Sequence, residues 1–418
     1  MHHIFANNKG KLAALFVIVL YLLGIGLNVK LLNWGDDAFF TGVLHGTNLI
    51  DWGLDRYVSW SGRIIIDALM VSTINSPIVW TLLLPASILL ASYSMAKIAF
   101  KTVNVYWVML AMMLIAIIPP LISSEAIIWV TGFYNYLLPL SLAIFTVSVM
   151  LDEKSCGASK LFALLAIFIF SYQEQVVIIF IITAVLLLIQ SYNHFKLLGL
   201  LLSLANAAVL FMAPGNYNRL STEVWRWYPQ YMDYGFVEKV MLGYDKLYQA
   251  FTMPHNWPLL VFLALAVCLT ATKKNIAVAE KVSMSVIVAF IVFSLLHLQT
   301  FPYQPNSSII SFYRGEINPD VIVRSHMYIC YAFVLVTMSS VLTLLVGLLN
   351  GSRNIVGAII VTLFAAMSIV MIGFSPTVYA STWRVDFVFE VMLIMGTLFL
   401  LNEMIEKYNL TQSTREAQ

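Results

Sequence analysis

The chain has 418 residues, of which 61% are hydrophobic and only 11% are charged, and its formal net charge is +2. So much apolar material excludes an ordinary soluble protein and predicts an all-α polytopic membrane protein. The net charge gives no reason to expect a nucleic-acid partner, and the three cysteines are too scattered to form a disulfide framework or a metal site.

Hydropathy predicts about twelve membrane-spanning helices and no separate soluble domain, so residues 1–418 are expected to form a single integral-membrane domain. The expected spans are 12–32, 78–100, 104–122, 133–151, 161–172, 176–190, 197–213, 256–272, 282–300, 327–349, 355–374 and 387–405. Residues 161–190 admit two interpretations: two short helices that flank Gln173-Glu174-Gln175, or one long helix with a polar centre. We prefer two helices, since one long helix would invert every later span.

Lysine placement sets the expected orientation. The lysines that fall on one side are Lys9, Lys11, Lys97, Lys101, Lys154, Lys160, Lys196, Lys273, Lys274, Lys281 and Lys407. By the positive-inside rule that side is the cytoplasm, so both termini are expected there. The long loops 33–77, 214–255 and 301–326 then lie outside, where function is expected because such long connections rarely lack a role. Helical spacing of apolar residues in the first two loops predicts short interfacial helices.

Arginine does not follow lysine. The arginines expected on the outer side are Arg56, Arg63, Arg219, Arg226, Arg314, Arg324 and Arg384. A face that excludes lysine but collects arginine indicates use of the planar, bidentate guanidinium, which suits phosphate. The alternative is that these arginines only reach toward lipid headgroups or pair with local acids.

Polar motifs lie at the outer ends of several predicted spans. They are Asp36-Asp37 with Trp60-Ser61-Gly62-Arg63, Ser123-Ser124-Glu125 followed by Trp129 and Gly132-Phe133-Tyr134-Asn135-Tyr136, Tyr172-Gln173-Glu174, and Ala213-Pro214-Gly215-Asn216-Tyr217-Asn218-Arg219. Arg324-Ser325-His326 opens a later span from the same side. Such groups suit a sugar joined to a phosphate, because aromatic faces stack on sugar rings, amides and acids bind hydroxyls, and arginines hold phosphate. The plainer interpretation is that Asp36 and Asp37 end a helix and face water, and that Glu174 is a satisfied polar residue between helices.

Transfer from a lipid-linked sugar phosphate needs few groups. The phosphate is already a good leaving group, so one carboxylate suffices to accept the proton of the acceptor hydroxyl. Cations are needed where negative charge grows on the departing phosphate. No His, Asp and Glu cluster has metal-ligand spacing, so no zinc site is expected. Asp36 and Asp37 offer oxygen ligands that could hold a divalent ion, but a lipid monophosphate substrate does not require one, and no cofactor is expected. The candidate sugar and acceptor contacts are Trp60, Glu125, Trp129, Tyr134, Asn135, Glu174 and Asn216.

A first span that ends in an acidic pair, helices in the first outer loop and many spans together resemble the GT-C glycosyltransferases. Within that group, the acidic pair, the Trp60-Ser61-Gly62-Arg63 motif and the later motif 214–219 resemble the serotype-converting O-antigen glucosyltransferases carried by phages of enteric bacteria, and a group of bacterial membrane proteins. The resemblance covers most of the chain as architecture, but its motifs cover only a few dozen residues. Since the sequence has no sizeable C-terminal soluble domain, acceptor recognition is expected from the outer loops.

The resemblance implies transfer of a sugar, expected to be glucose, from a polyprenyl-phosphate-sugar such as undecaprenyl-phosphate-glucose to lipid-linked O antigen or a similar surface polysaccharide. It also implies a bacterial inner-membrane location, a periplasmic active site, and a donor synthase and a flippase as separate partners. By motif match, Asp36 is the expected catalytic carboxylate with Asp37 its neighbour, and Arg63, Arg219 and Arg324 are expected to bind the donor phosphate. Arg63 is also expected beside Asp36, where it would keep that carboxylate charged.

A transporter or flippase of lipid-linked glycans is the alternative function. Such a protein should place polar residues in mid-span, at a site that is reached from both faces. The polar motifs of this sequence instead cluster at the outer ends of the predicted spans. For a third function, a non-catalytic assembly or immunity factor, the sequence offers no specific feature.

Overall fold

The structure is a computed structural model that describes residues 8–296 and 325–416. Within these residues the protein is all-helical, and its one β-type pairing is a parallel bridge between Lys30 and Trp129. Most of the predicted outer loop 301–326, with Arg324, lies outside the described residues.

The helices follow one another with short connections. They are α1 (Asn8–Asn28), α2 (Gly35–Gly42), α3 (Leu49–Ser59), α4 (Ile64–Thr73), α5 (Pro77–Phe100), α6 (Val105–Ala116), α7 (Val130–Leu151), α8 (Gly157–Phe170), α9 (Glu174–Gln190), α10 (His194–Phe211), α11 (Pro214–Trp227), α12 (Phe236–Phe251), α13 (Trp257–Ala271), α14 (Val278–Leu296), α15 (Ser325–Gly347), α16 (Arg353–Val370) and α17 (Phe387–Glu416). A further helical segment, Pro120–Ile128, follows α6 at a bend of 95°.

Among the described residues, seven helices are long and apolar enough to cross a membrane, or eight if α6 and Pro120–Ile128 form one bent span. A multi-pass membrane protein is therefore supported, but the prediction of twelve spans is not confirmed. Hydropathy counts apolar runs, and several of these runs form helices of only 10–17 residues, among them α8, α9 and α13. A straight crossing of the hydrocarbon takes about 20 residues.

Local sequence signals account for two of the chain breaks. The two-helix interpretation of residues 161–190 is confirmed, because α8 ends at Phe170 and α9 begins at Glu174. The Gln173 side chain caps α9 by accepting a hydrogen bond from the Val176 amide at 2.7 Å. The predicted span 104–122 is instead interrupted after Ala116, where Pro119 and Pro120 cannot continue a helix.

The predicted short helices of the first outer loop are present as α2, α3 and α4. Asn48 begins α3 as its cap, and its side-chain oxygen accepts hydrogen bonds from the amides of Ile50 and Asp51. The second predicted outer loop, residues 214–255, contains α11 and α12, which are separated by a short 3-10 turn.

The described residues form two compact units. Unit 1 comprises residues 8–113, 120–231 and 383–388, and unit 2 comprises residues 114–119, 232–296, 325–382 and 389–416. In unit 1 the most enclosed helix is α7, which packs against α5 and α8, whereas α1 lies at the periphery against α5. The apolar window of α7 is 83% buried and that of α1 is 11% buried, so α1 presents most of its surface outward.

In unit 2, α14 packs along α15, and α12 lies against α16 and the turn that follows it. Glycines permit this close approach, since a methyl group at Gly243 would lie 2.0 Å from the Val370 carbonyl oxygen and one at Gly373 would lie 2.1 Å from that of Lys239. The predicted site residues within the described part of the chain all belong to unit 1.

Candidate functional site

The acidic pair lies in the first turn of α2, just after α1 ends. Gly35 begins α2 with a φ of +65°, a conformation that favours glycine, and Asp36 and Asp37 follow it at the positive end of the helix dipole. Adjacent helical residues point in different directions. The two carboxylates consequently occupy different environments: Asp37 is fully buried, while the side chain of Asp36 is 55% exposed.

Asp37 fastens α2 to its neighbours. One carboxylate oxygen accepts the Leu32 amide at 2.7 Å, and the other accepts the Thr131 amide at 3.1 Å together with the Thr131 hydroxyl. Burial raises the pKa of Asp37, and the hydrogen bonds from Leu32 and Thr131 oppose that rise. With three donors directed at it, this carboxylate has a structural role in joining α2 to the start of α7.

Asp36 faces a different arginine from the one expected. The expectation that Arg63 pairs with Asp36 is wrong: Asp36 Oδ2 lies 3.9 Å from Nη1 of Arg384. The Arg384 guanidinium also lies over the Trp129 ring, 5.1 Å from its centroid. Glu125 fixes the turn that carries Arg384 and precedes α17. One of its carboxylate oxygens accepts hydrogen bonds from the amides of Trp383 at 3.0 Å and Arg384 at 3.1 Å. We call Asp36, Asp37 and Arg384 the acidic centre.

Arg63 instead forms a multiply bonded pair with Glu174. Its Nη2 lies 2.6 Å from Glu174 Oε2, and its Nε lies 3.0 Å from each carboxylate oxygen. The remaining arm of the guanidinium, Nη1, donates to the side-chain oxygen of Asn135 at 3.1 Å. The ion pair raises the pKa of Arg63 even though burial acts to lower it. All three guanidinium nitrogens of Arg63 therefore donate hydrogen bonds, which the single ammonium group of a lysine would not reproduce.

Arg219 lies next to this pair without joining it. Within the described part of the chain it forms no ion pair or hydrogen bond, and it is half-buried. Burial, and after it the Arg63 guanidinium, hold the pKa of Arg219 below its ordinary value, although Glu174 and Glu223 act in the opposite direction. We call Arg63, Arg219 and Glu174 the arginine centre. Since Arg63 already satisfies Glu174, Arg219 leaves this centre with an unpaired positive charge.

Two motifs that are far apart in sequence meet to form the arginine centre. The Gly62 amide donates to the Asn216 side-chain oxygen at 3.0 Å, and the Asn216 side-chain nitrogen donates to the Leu210 carbonyl at 2.7 Å. A methyl group at Gly62 would lie 2.1 Å from that carbonyl oxygen, and one at Gly215 would lie 2.4 Å from the Trp60 nitrogen. Glycine is therefore required at both positions for the close approach of the two backbones, which brings Arg63 and Arg219 together.

The acidic and arginine centres share one stretch of α7. Thr131 donates to Asp37, and Asn135 accepts from Arg63 while its own side-chain nitrogen donates to the Thr131 carbonyl at 2.9 Å. A continuous set of hydrogen bonds thus runs from Asp37 to Glu174. Gly132 lies in this stretch, where a methyl group would lie 1.7 Å from the Glu125 carbonyl oxygen.

No family model, curated protein or solved structure matches this chain. Among the described residues, no group of three or more His, Cys, Asp or Glu side chains is placed to hold a metal ion.

The other predicted site residues have different degrees of access. Tyr134 is fully buried, and its hydroxyl lies 2.6 Å from that of Thr73, so its polar group is directed into the protein. Trp60 and Trp129 are half-buried. Asn216 is engaged in the contact between the two motifs. Arg324 lies outside the described residues.

The outer arginines divide according to their partners. Arg56 pairs with Asp67 at 2.8 Å and lies over three aromatic rings, as the interpretation of pairing with local acids expects. Arg226 lies over the adjacent Trp227 ring, 5.0 Å from its centroid. Arg384 and Thr131 are the two functional candidates that sequence reasoning missed. The sequence marks Arg384 only as one of the arginines expected on the outer side, and the signal for Thr131 is its position between Trp129 and Gly132.

Proposed function

We propose that this protein is a glycosyltransferase that transfers a sugar, with glucose as the expected one, from a polyprenyl-phosphate-sugar to a lipid-linked O antigen or similar surface polysaccharide. One observation carries the proposal: an exposed carboxylate, Asp36, and an unpaired guanidinium, Arg219, belong to two centres that are joined through Thr131 and Asn135. The sequence resemblance to GT-C glycosyltransferases supports the same conclusion.

The two centres supply the two functions that such a transfer needs. Asp36 accepts the proton of the acceptor hydroxyl, whose oxygen forms the new bond to the anomeric carbon. The bond from that carbon to the phosphate oxygen breaks, and the lipid phosphate leaves with the electron pair. Arg219 stabilises the charge on the leaving phosphate, with the positive charge of Arg63 beside it, and Arg384 Nη1 lies 3.9 Å from Asp36 Oδ2. Arg324 remains a further candidate for the phosphate.

The proposal includes a location. Transfer takes place on the periplasmic face of a bacterial inner membrane, with both termini in the cytoplasm, as the lysine distribution predicts. The donor is made by a separate synthase and brought to the outer leaflet by a separate flippase.

The experiment compares purified surface polysaccharide from cells that carry the wild-type gene, the Asp36→Asn variant or no gene. Mass spectrometry should show one sugar increment per repeat in the wild type only, since general-base catalysis is worth about 10²–10⁴-fold. Asp55→Asn is the matched control, because Asp55 is another exposed carboxylate on a short helix of the same loop. An unchanged mass in all strains would contradict the transferase, since a transporter adds no mass to its cargo.

The arginine centre has its own test. Arg219→Lys and Arg63→Lys should each reduce transfer, because a lysine presents a point charge in place of the fork. Arg226→Lys is the matched control, because Arg226 lies exposed in the same helix as Arg219. Donor titration should show the loss as a raised KM for the polyprenyl-phosphate-sugar. Unchanged donor kinetics in both centre variants would remove the phosphate role from these residues.

A further inference from the structure

A cleft of about 490 Å³ lies between α1 and the end of the Pro120–Ile128 segment, entirely within unit 1. Its walls are mainly apolar and include Tyr21, Gly24, Ile25, Asn28, Ile128 and Trp129. The α1 residues follow helical spacing, so one face of this helix forms one wall. Because most of α1 is not covered by the rest of the protein, the cleft is accessible from an apolar surface.

Gly24 lines the cleft and adjoins open space. A glycine inside a helix lowers helix stability relative to alanine, so its presence needs a reason. Close packing is not that reason, since a methyl group at Gly24 would meet no atom within 4 Å. Gly26 shows the contrast, because a methyl group there would lie 3.1 Å from the Thr81 carbonyl oxygen of α5. The carbonyl of Gly24, which lacks a side chain to cover it, accepts the Asn28 side-chain nitrogen at 2.7 Å.

One cation, Lys30, lines this cleft, and a second, Arg384, lies over the ring of its lining residue Trp129. Lys30 is exposed and forms no ion pair within the described part of the chain. Trp129 forms the adjoining wall, and the Arg384 guanidinium lies over its ring. The Arg384 Nε is buried and has no hydrogen-bond partner among the described residues. An apolar cleft with a cation in its lining and another against its Trp129 wall suits a lipid with an anionic head.

We propose that this cleft binds the polyprenyl diphosphate carrier of the acceptor, with its isoprenoid chain along Gly24 and its diphosphate between Lys30 and Arg384. The assignment to the acceptor rests on the proposed function and follows from position. Asp36, the base that must face the acceptor, lies beside Arg384, whereas the donor phosphate is assigned to Arg63 and Arg219. The protein thus holds its two lipid-linked substrates at separate cation clusters.

The test measures binding without transfer. Purified protein in nanodiscs is titrated with undecaprenyl diphosphate, with undecaprenyl phosphate and, as the ordinary membrane lipid, with phosphatidylglycerol. Gly24→Leu fills the open space and should weaken undecaprenyl diphosphate binding at least tenfold, while undecaprenyl phosphate binding changes less than twofold. Lys30→Gln should weaken diphosphate binding several-fold. The matched control is Leu23→Phe, which adds bulk at an adjacent α1 position that is 58% exposed.

Every other pattern overturns the proposal. The cleft would belong to another lipid in any of three cases. The variants could weaken the binding of both polyprenyl lipids equally, or weaken that of the monophosphate alone. Phosphatidylglycerol at similar concentration could also displace the diphosphate. Unchanged diphosphate binding in Gly24→Leu would show that the cleft does not have this role. If Gly24→Leu does not fold, Ile25→Phe repeats the test, because it narrows the same cleft from the next position. Failure here with Asp36-dependent sugar transfer intact would remove only the cleft assignment. Intact binding with no sugar transfer would remove the proposed function.

Discussion

Replacement of Asp37 by alanine tests how the acidic centre is built, independently of any activity. The carboxylate is fully buried and accepts the Leu32 amide, the Thr131 amide and the Thr131 hydroxyl. Alanine would leave all three donors without their acceptor, in a place where water does not replace it. Asp36→Asn is the matched control, since the side chain of Asp36 is 55% exposed and its contact with Arg384 is 3.9 Å long.

The magnitudes follow from these contacts. A hydrogen bond to a charged group contributes about 1.5–3 kcal/mol. The three bonds are not additive because two of them involve Thr131. We therefore expect Asp37→Ala to lower the free energy of unfolding by about 3–5 kcal/mol. Asp36→Asn should change it by about 0–1 kcal/mol, as is usual for an exposed ion pair.

The assay is thermal unfolding of the purified protein in detergent, monitored by tryptophan fluorescence. One kcal/mol shifts the Tm of a large domain by about 2 °C, so Asp37→Ala should lower the Tm by roughly 6–10 °C. Thr131→Val, which removes only the hydroxyl, should fall between the two Asp variants. If Asp37→Ala unfolded within about 1 °C of the wild type, or if Asp36→Asn were the less stable protein, the structural role given to Asp37 would be refuted.

Three further predictions concern backbone contact, charge and orientation. Gly215→Ala should lower the free energy of unfolding by about 1–3 kcal/mol, because its methyl group would lie 2.4 Å from the Trp60 nitrogen. Gly53→Ala, whose methyl group would meet no atom within 4 Å, should raise the free energy of unfolding by about 0.5–1 kcal/mol. Equal effects of the two substitutions in denaturant titrations would contradict this prediction. Arg219→Gln should leave the Tm unchanged or raised, since it removes a charge that Arg63 repels and that has no ion-pair partner among the described residues. Sugar transfer should be lost in the same variant. A large fall in Tm would show that Arg219 has a structural partner. In intact spheroplasts, a cysteine introduced by Thr47→Cys should react with an impermeant thiol reagent. The native, exposed Cys156 should react only after the membrane is opened. The reverse pattern would contradict the predicted orientation in the membrane.

Local signals in the sequence predicted local structure well. The polar interruption at Gln173 ends one helix and caps the next, and the apolar spacing between residues 33 and 77 does form short helices. The span count was less successful because hydropathy measures composition and not helix length. A run such as α13 is apolar enough for a span but has only 15 residues in its helix.

The neighbours of charged groups could not be predicted from the sequence. Chain order made Arg63 the natural partner of Asp36, because both lie in the first outer loop. In the structure Arg63 forms an ion pair with Glu174, and Asp36 forms one with Arg384, which lies in the turn before α17. Several outer arginines are chemically equivalent in sequence, and only the tertiary packing decides which carboxylate each one meets. The buried position of Asp37 depends likewise on Thr131, whose one sequence signal is its position between Trp129 and Gly132.

The stretch from Thr131 to Asn135 supports both centres from one element. Thr131 donates to Asp37, Asn135 accepts from Arg63, and the Asn135 side chain donates to the Thr131 carbonyl, so each centre is fixed to the same few residues of α7. Under the proposed transfer, this common support would align the acceptor hydroxyl and the donor phosphate, in place of two independent loops. A change of either side chain would then alter the alignment of the two substrates as well as the packing of α7.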